Sequence, residues 1–235
     1  VIGSDGKTPD RQITKGGHTY RFACRWAPDS KKLAFHDKQL RLWWCDVKSG
    51  KLAQIDASAY GEIDDYQWAP DSKWIAFGKT GPNDLSQVWL YGLDSGKTTA
   101  VSSPMHEDFS PSFDPAGKYL YFISRRTFSP QFGNFEFDFQ FRATDGIYVA
   151  TLQDSLRSPV LPLSDEETGE AGGDEGEEDA AAAGSTAKDS KQKGKKSGPE
   201  AGRDGDKEAD EVPTVKIDLE GIGSRVAQVP VEPGR

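Results

Sequence analysis

The stretch WAPDSKKLAF, at residues 26–35, has two further copies in this chain. They are WAPDSKWIAF at residues 68–77 and FDPAGKYLYF at residues 113–122, so the copies start 42 and 45 residues apart. A period of ~40–50 residues is typical of β-propeller blades. The sequence therefore predicts an all-β fold: a β-propeller fragment of about three four-stranded antiparallel blades.

Each copy has the composition of two strands joined by a tight turn. An aromatic residue ends the first strand, proline presets φ in the turn, and Asp, Ser or Gly completes it. The apolar run that follows suits a central strand that is buried on both faces. We expect Trp26, Trp68 and Trp74 to pack between blades. The structural positions of the repeat are Trp26, Pro28, Asp29, Trp68, Pro70, Asp71, Phe113 and Pro115.

A strand and hairpin signal after each turn sets the blade boundaries. Val215, Ile217 and Leu219 alternate with polar residues and predict one more strand. Because a propeller closes with 4–8 blades, further blades are expected elsewhere in the parent chain. The predicted segments are the end of a preceding blade (1–19), three blades (20–60, 61–103 and 104–163), an insert (164–211) and the start of a following blade (212–235).

The insert at residues 164–211 contains no Val, Ile, Leu, Met, Phe, Trp or Tyr. It carries 16 acidic and 7 basic residues, which account for the whole net charge of −9. A segment with nothing to bury does not offset its ordering entropy, so we predict a disordered acidic and Lys-rich insert that loops out from a blade junction. The remainder is neutral, which disfavours a nucleic-acid partner.

The third blade contains an aromatic insertion at residues 124–145. Its four phenylalanines, at positions 135, 137, 139 and 141, follow a strict period of two and would share one strand face. That face is either packed inside an elaborated blade or presented to a channel or partner.

The sequence contains no recognisable catalytic motif. It lacks a Gly-x-Ser-x-Gly elbow, so no catalytic residue is assigned. The three histidines, His18, His36 and His106, are expected at the surface or in turns. Arg125 and Arg126, at the end of a strand, are candidates to bind a peptide carboxylate by bidentate hydrogen bonds; the alternative is a solvated strand end.

Metal ions, cofactors and membranes are not expected to be partners. Cys24 and Cys45 are interpreted as two small buried hydrophobes, and no His or Cys cluster has the spacing of metal ligands. Asp64 and Asp65 are expected to have a turn or blade-edge role. The chain also lacks an apolar run of the ~20 residues that a membrane helix needs.

The repeated turns resemble the WD40-like (PD40) repeats of TolB and of tricorn-type peptidase propellers. Three further stretches, at residues 63–77, 113–137 and 215–231, occur in an order that is similar to the second propeller of tricorn-like proteases. These proteases are serine peptidases of the S41 type, and their second propeller is seven-bladed.

The resemblance implies a function in peptide handling. The propeller would guide or gate peptides towards a catalytic domain beyond this chain, in a cytoplasmic homo-oligomer whose parent chain supplies the remaining blades. The fragment itself would have no peptidase activity. Two alternatives are a TolB-like, non-enzymatic protein-binding scaffold in the periplasm and the propeller of a prolyl-oligopeptidase-like hydrolase.

Overall fold

The structure is a computed structural model. It describes residues 1, 7, 9–15, 18–22, 24–128, 130–133, 139–141, 143–161 and 213–234. The insert predicted at residues 164–211 lies outside the described residues, as does residue range 134–138 in the aromatic insertion. The unit described below comprises Val1–Leu161 and Val212–Arg235.

Three four-stranded antiparallel sheets follow one another along the chain, which confirms the predicted fold class. The first sheet has the order β1-β2-β3-β4 and the second β5-β6-β7-β8, whereas the third has the order β9-β10-β13-β14. The strands of the first sheet are β1 (Arg25–Trp26), β2 (Lys32–Asp37), β3 (Arg41–Asp46) and β4 (Leu52–Ala57). Those of the second are β5 (Tyr66–Trp68), β6 (Trp74–Thr80), β7 (Ser86–Gly92) and β8 (Lys97–Ala100). Those of the third are β9 (Asp108–Phe113), β10 (Tyr119–Arg125), β13 (Asp145–Thr151) and β14 (Val226–Gln228).

The aromatic insertion contributes a separate two-stranded hairpin. Its strands, β11 (Pro130–Phe132) and β12 (Phe139–Phe141), pair with each other. Along the chain this hairpin lies between β10 and β13, which pair directly in the third sheet. Phe132 is 55% exposed. Which surface the four phenylalanines face stays open, because their side chains lie outside the described residues.

The repeated corners join the first two strands of each sheet by the same backbone geometry. The fifth residue of each corner has positive φ: 55° at Ser30, 59° at Ser72 and 69° at Gly117. An aspartate closes each turn by accepting a backbone hydrogen bond, from Lys31 to Asp29 Oδ1 (2.8 Å) in the first copy. Glycine suits the third corner because left-handed backbone costs a side chain free energy.

The fourth strand of the third sheet comes from the chain beyond the insert. β14 pairs with β13 through Tyr148 opposite Gln228 and Ala150 opposite Val226. Assigning residues 226–228 to the start of a following blade was therefore wrong. The insert leaves from the connection between the third and fourth strands of one blade, not from a blade junction, because period-two alternation does not say which sheet a strand joins.

The predicted strand around Val215, Ile217 and Leu219 is extended but has no strand partner among the described residues. Val215 is buried, and the other two side chains pack on the core between the second and third sheets. Burial of one face by side-chain packing therefore explains the alternation.

Arg225 ties the chain after the insert to the chain before it. It ends a 3₁₀ helix (Ile222–Arg225), and its guanidinium donates to the carbonyls of Thr151 (3.0 Å), Leu152 (3.5 Å) and Glu220 (3.0 Å). The backbone N–H of Asp218 also donates to Leu152 O at 2.9 Å. β14 thus enters the third sheet from a position fixed by hydrogen bonds.

Apolar cores fill the spaces between successive sheets. Trp68 (6% exposed) and Phe77 (0%) lie in the core between the first and second sheets. Phe122 (1% exposed) lies in the core between the second and third sheets, and Trp74 is half-buried against that core. These contacts agree with the expectation for Trp68 and Trp74.

Trp26 differs from its repeat equivalent, because it is 48% exposed. It lies opposite Leu33 on the neighbouring strand, and residues directly opposite each other share one face of a sheet. This face of the first sheet points away from the second sheet. That face holds Phe35 and Cys45, which Ile13 partly covers. Burial raises the pKa of the Cys45 thiol.

The prediction of a buried position is wrong for Cys24, which is exposed. It lies immediately before the edge strand β1 of the first sheet, where no neighbouring strand among the described residues covers it.

Candidate functional site

One end of the three sheets carries most of the charged side chains that sequence analysis selected. At this end β2 passes to β3, β6 to β7 and β10 to β13, and residues 58–65 and 101–107 connect successive sheets. We call it the rim. Arg125 and Arg126 lie here because β10 ends at the rim.

The third strand of each blade places an aromatic ring at equivalent positions near the rim. Trp43, Trp89 and Tyr148 lie opposite the last residue of each repeat copy, which are Phe35, Phe77 and Phe122. A cation stacks on each ring: Arg41 on Trp43 at 5.0 Å, Lys79 on Trp89 at 4.6 Å and Arg126 on Tyr148 at 4.6 Å. These distances are within the range of cation–π attraction.

A carboxylate completes each of these three clusters. Arg41 pairs with Asp37 at 2.6 Å, Lys79 with Asp56 at 2.7 Å and Arg126 with Asp108 at 2.9 Å. Asp56 belongs to the first sheet and Lys79 to the second, so this ion pair also links two blades. Each cation is therefore held between a ring and an acid.

Arg125 and Arg126 have different surroundings. Arg125 bonds Glu107 at 2.7 Å and Asp145 at 3.0 Å, which raise its pKa, and it stacks on Phe109 at 4.9 Å. Its side chain is 36% exposed, so it is the arginine that is accessible to a ligand. Peptide binding by the pair stays a prediction.

Arg126 has a structural position. It donates to Ser124 Oγ at 2.7 Å and to Asp108 Oδ2. Asp108 is fully buried, and a buried carboxylate needs a compensating partner. The contacts of Arg126 therefore compensate a charge inside the protein.

Asp37 anchors the hairpin between β2 and β3. Its carboxylate is 1% exposed and accepts hydrogen bonds from Arg41 Nη2 (2.6 Å), Trp43 Nε1 (2.9 Å) and the backbone N–H of Gln39 (2.9 Å). Burial by itself would raise the pKa of Asp37, but the hydrogen bonds from Arg41 and Trp43 outweigh it and the pKa is lowered.

We expect Asp37→Asn to lower the free energy of unfolding by about 2–3 kcal/mol at pH 7, because hydrogen bonds to a charged group are lost. A lowered folded-state pKa means that the contribution is full above the unfolded pKa of ~3.9 and disappears as pH falls through the folded value. Urea titrations from pH 7 to pH 3 should show the two proteins converging below about pH 4. Asp94→Asn, at an exposed turn position, is the control. A constant difference across this range would contradict the assignment.

The innermost strands β1, β5 and β9 lie side by side, each at the edge of its sheet. Side chains of one blade bond the backbone of the next across these edges. Arg25 Nη1 donates to Tyr66 O at 2.5 Å, and Trp68 Nε1 donates to Arg25 O at 3.2 Å. The Tyr66 carbonyl, which would otherwise be free to pair with another strand, is thereby occupied.

The same capping joins β5 to β9. Asp65 Oδ2 accepts from the backbone N–H of Ser110 at 2.5 Å, and Gln67 Oε1 accepts from that of Phe113 at 2.9 Å. Burial raises the pKa of Asp65 and raises that of neighbouring Tyr66 to about 12. Asp65 therefore has the expected blade-edge role. Ser110 and Ser112 remain exposed on β9.

His36 differs from the expected surface position. It lies on β2, is 8% exposed and stacks on Phe22 with ring centroids 4.5 Å apart. The side chain is buried because all of β2 beyond its first residue is buried. A polar residue type by itself predicts an exposed position.

In the part of the chain that the structure describes, no group of three His, Cys, Asp or Glu side chains is placed to hold a metal ion. The helices within those residues are too short to cross a membrane.

A family model and several relatives indicate one family. The model described as the tricorn protease second beta propeller domain matches residues 1–235. The tricorn protease homolog of Saccharolobus solfataricus is 32% identical over 152 residues, which are 65% of this chain and 14% of that protein. Tricorn protease homolog 1 of Streptomyces coelicolor is 26% identical over 209 residues, 89% of this chain and 17% of that protein.

The comparison with solved structures supports the same fold. A crystal structure of the tricorn protease superposes with a TM-score of 0.66 and 20% identity, over 91% of this chain and 17% of that chain. The present chain thus spans less than a fifth of the length of these proteins.

Proposed function

Because the chain belongs to the family of tricorn protease second β-propeller domains, we propose that it guides unfolded peptides towards a catalytic region of the parent protein. Peptides are the proposed ligands, and the remaining blades and the catalytic region are the proposed intramolecular partners. We further propose that the parent protein is a cytoplasmic homo-oligomer.

The observation that carries this proposal is the capped inner wall. A free strand edge captures an extended peptide by adding it as a new strand. Here the edge groups Tyr66 O, Ser110 N–H and Phe113 N–H are bonded to side chains of the adjacent blade. Exposed Ser110 and Ser112 offer only small, uncharged contacts.

Such a wall favours passage over capture. Conduction requires binding that is favourable enough for entry and weak enough for release. A permanent scaffold gains from strong, sequence-selective contacts, which the capped strands do not supply. The wall therefore supports the guiding role.

The proposal is tested by titrating the purified chain with unstructured peptides of ten to twenty residues, followed by NMR. We expect weak binding with little sequence preference, with dissociation constants on the order of 0.1 mM or weaker, and no cleavage. Peptide hydrolysis, tight binding of one peptide only, or no interaction with any peptide would refute it.

A further inference from the structure

A cleft of about 550 Å³ opens at the rim between the first and second blades. Cavities of ~300–1,000 Å³ are the size that small ligands occupy in proteins. The apolar part of its lining comes from Tyr60, Pro82, Leu85, Trp89, Pro104 and Met105.

Two of these side chains are unusually open to solvent. Tyr60 is 59% exposed and Met105 is 73% exposed. Large apolar side chains that gather around one concave site indicate a binding surface more than scattered exposure does. Methionine also adapts its shape to different apolar groups.

The walls are held in place before any ligand arrives. Asn83 Nδ2 donates to Pro104 O at 2.7 Å, and Gln87 Nε2 donates to Ser102 O. The Lys79–Asp56 ion pair joins the two blades beside the cleft. A preformed site does not lose affinity to the ordering of its own loops.

The charge of the site favours an uncharged group. Lys79 lines the cleft, but its ammonium is compensated by Asp56 and stacks on Trp89. The indole nitrogen of Trp89 is buried without a hydrogen-bond partner among the described residues.

We propose that this cleft binds an apolar side chain of an unfolded peptide. The inference rests on the proposed peptide-guiding function and adds a specificity to it. A peptide that passes the rim would pause where it carries a large apolar residue.

The chain has one methionine, so a [¹³C-methyl]methionine-labelled protein gives a single NMR signal, from Met105 in the cleft. The probe is a capped ten-residue glycine–serine peptide with one central phenylalanine. We expect it to shift the Met105 signal in a saturable manner. The same peptide with serine at the centre should bind about tenfold more weakly, because it buries no large apolar side chain in the cleft.

The matched variants are Ala59→Trp and Leu52→Trp. Both place tryptophan at an exposed position of the first blade, but only Ala59 lines the cleft. Ala59→Trp should weaken binding of the phenylalanine peptide about tenfold and Leu52→Trp should not, with equal urea midpoints for both. Tyr60→Ser is a second variant that opens the cleft, and it should weaken binding in the same direction.

Three outcomes overturn the inference. If the peptide perturbs backbone amides elsewhere but leaves Met105 unshifted, or if Ala59→Trp and Tyr60→Ser bind it like the parent chain, the cleft assignment fails while the guiding function stands. If no peptide perturbs any signal, both fail together.

Discussion

Arg126→Met should lower the free energy of unfolding by about 3–5 kcal/mol, because breaking a buried ion pair leaves an uncompensated charge. The charge is that of Asp108, which is fully buried and bonded to Arg126 at 2.9 Å. Its other oxygen has no hydrogen-bond partner among the described residues. Methionine keeps an unbranched apolar side chain but donates no hydrogen bond.

Two further variants make this expectation specific. Arg125→Met removes a neighbouring arginine whose side chain is 36% exposed, and exposed ion pairs contribute about 0–1 kcal/mol. The double variant Arg126→Met with Asp108→Asn should recover part of the loss, because the buried charge is gone. Urea unfolding measures all three, and equal losses for the two single variants would refute the structural assignment of Arg126.

Trp68→Ala should lower the free energy of unfolding by about 3–5 kcal/mol, as expected when a large aromatic side chain leaves a core. Trp68 is 6% exposed, packs between the first two blades and donates its indole N–H to Arg25 O. The variant loses both apolar burial and an inter-blade hydrogen bond.

The repeat supplies a control for this variant within the same chain. Trp26 occupies the equivalent position of the first copy but is 48% exposed, so Trp26→Ala should cost about 1 kcal/mol or less. The measurement is again the urea midpoint at constant pH. Similar losses for Trp26→Ala and Trp68→Ala would contradict the facing directions that we assign to the first two sheets.

The internal repeat predicted the architecture well. A corner that contains an aromatic residue, Pro and Asp and is followed by an apolar run predicts a tight turn that leads into a buried strand. Because this pattern occurs three times, it indicated three blades. The fourth strand of the third blade was missed because 74 residues separate β13 from β14. Sequence adjacency, which identified β4 and β8, does not extend over that distance.

The rim clusters were missed for a related reason. Their cations lie 2, 10 and 22 positions before the rings on which they stack, so no common spacing marks them. Lys79 and Arg126 reach their rings across paired strands, whereas Arg41 lies on the same strand as Trp43. Arg125 and Arg126 were selected because they end a strand, and their carboxylate partners come from other strands.

The contacts of Arg225 hold the fourth strand of the third blade in place without help from the chain segment that leads to it. Its hydrogen bonds to Thr151 and Leu152, and the β13–β14 pairing, hold the strand to the chain before the insert whether or not the intervening chain is continuous. A single cut within residues 164–211 would therefore yield two polypeptides that stay assembled without a covalent link. The segment at residues 164–211 can therefore change in length and composition during evolution at little cost to the stability of the blade.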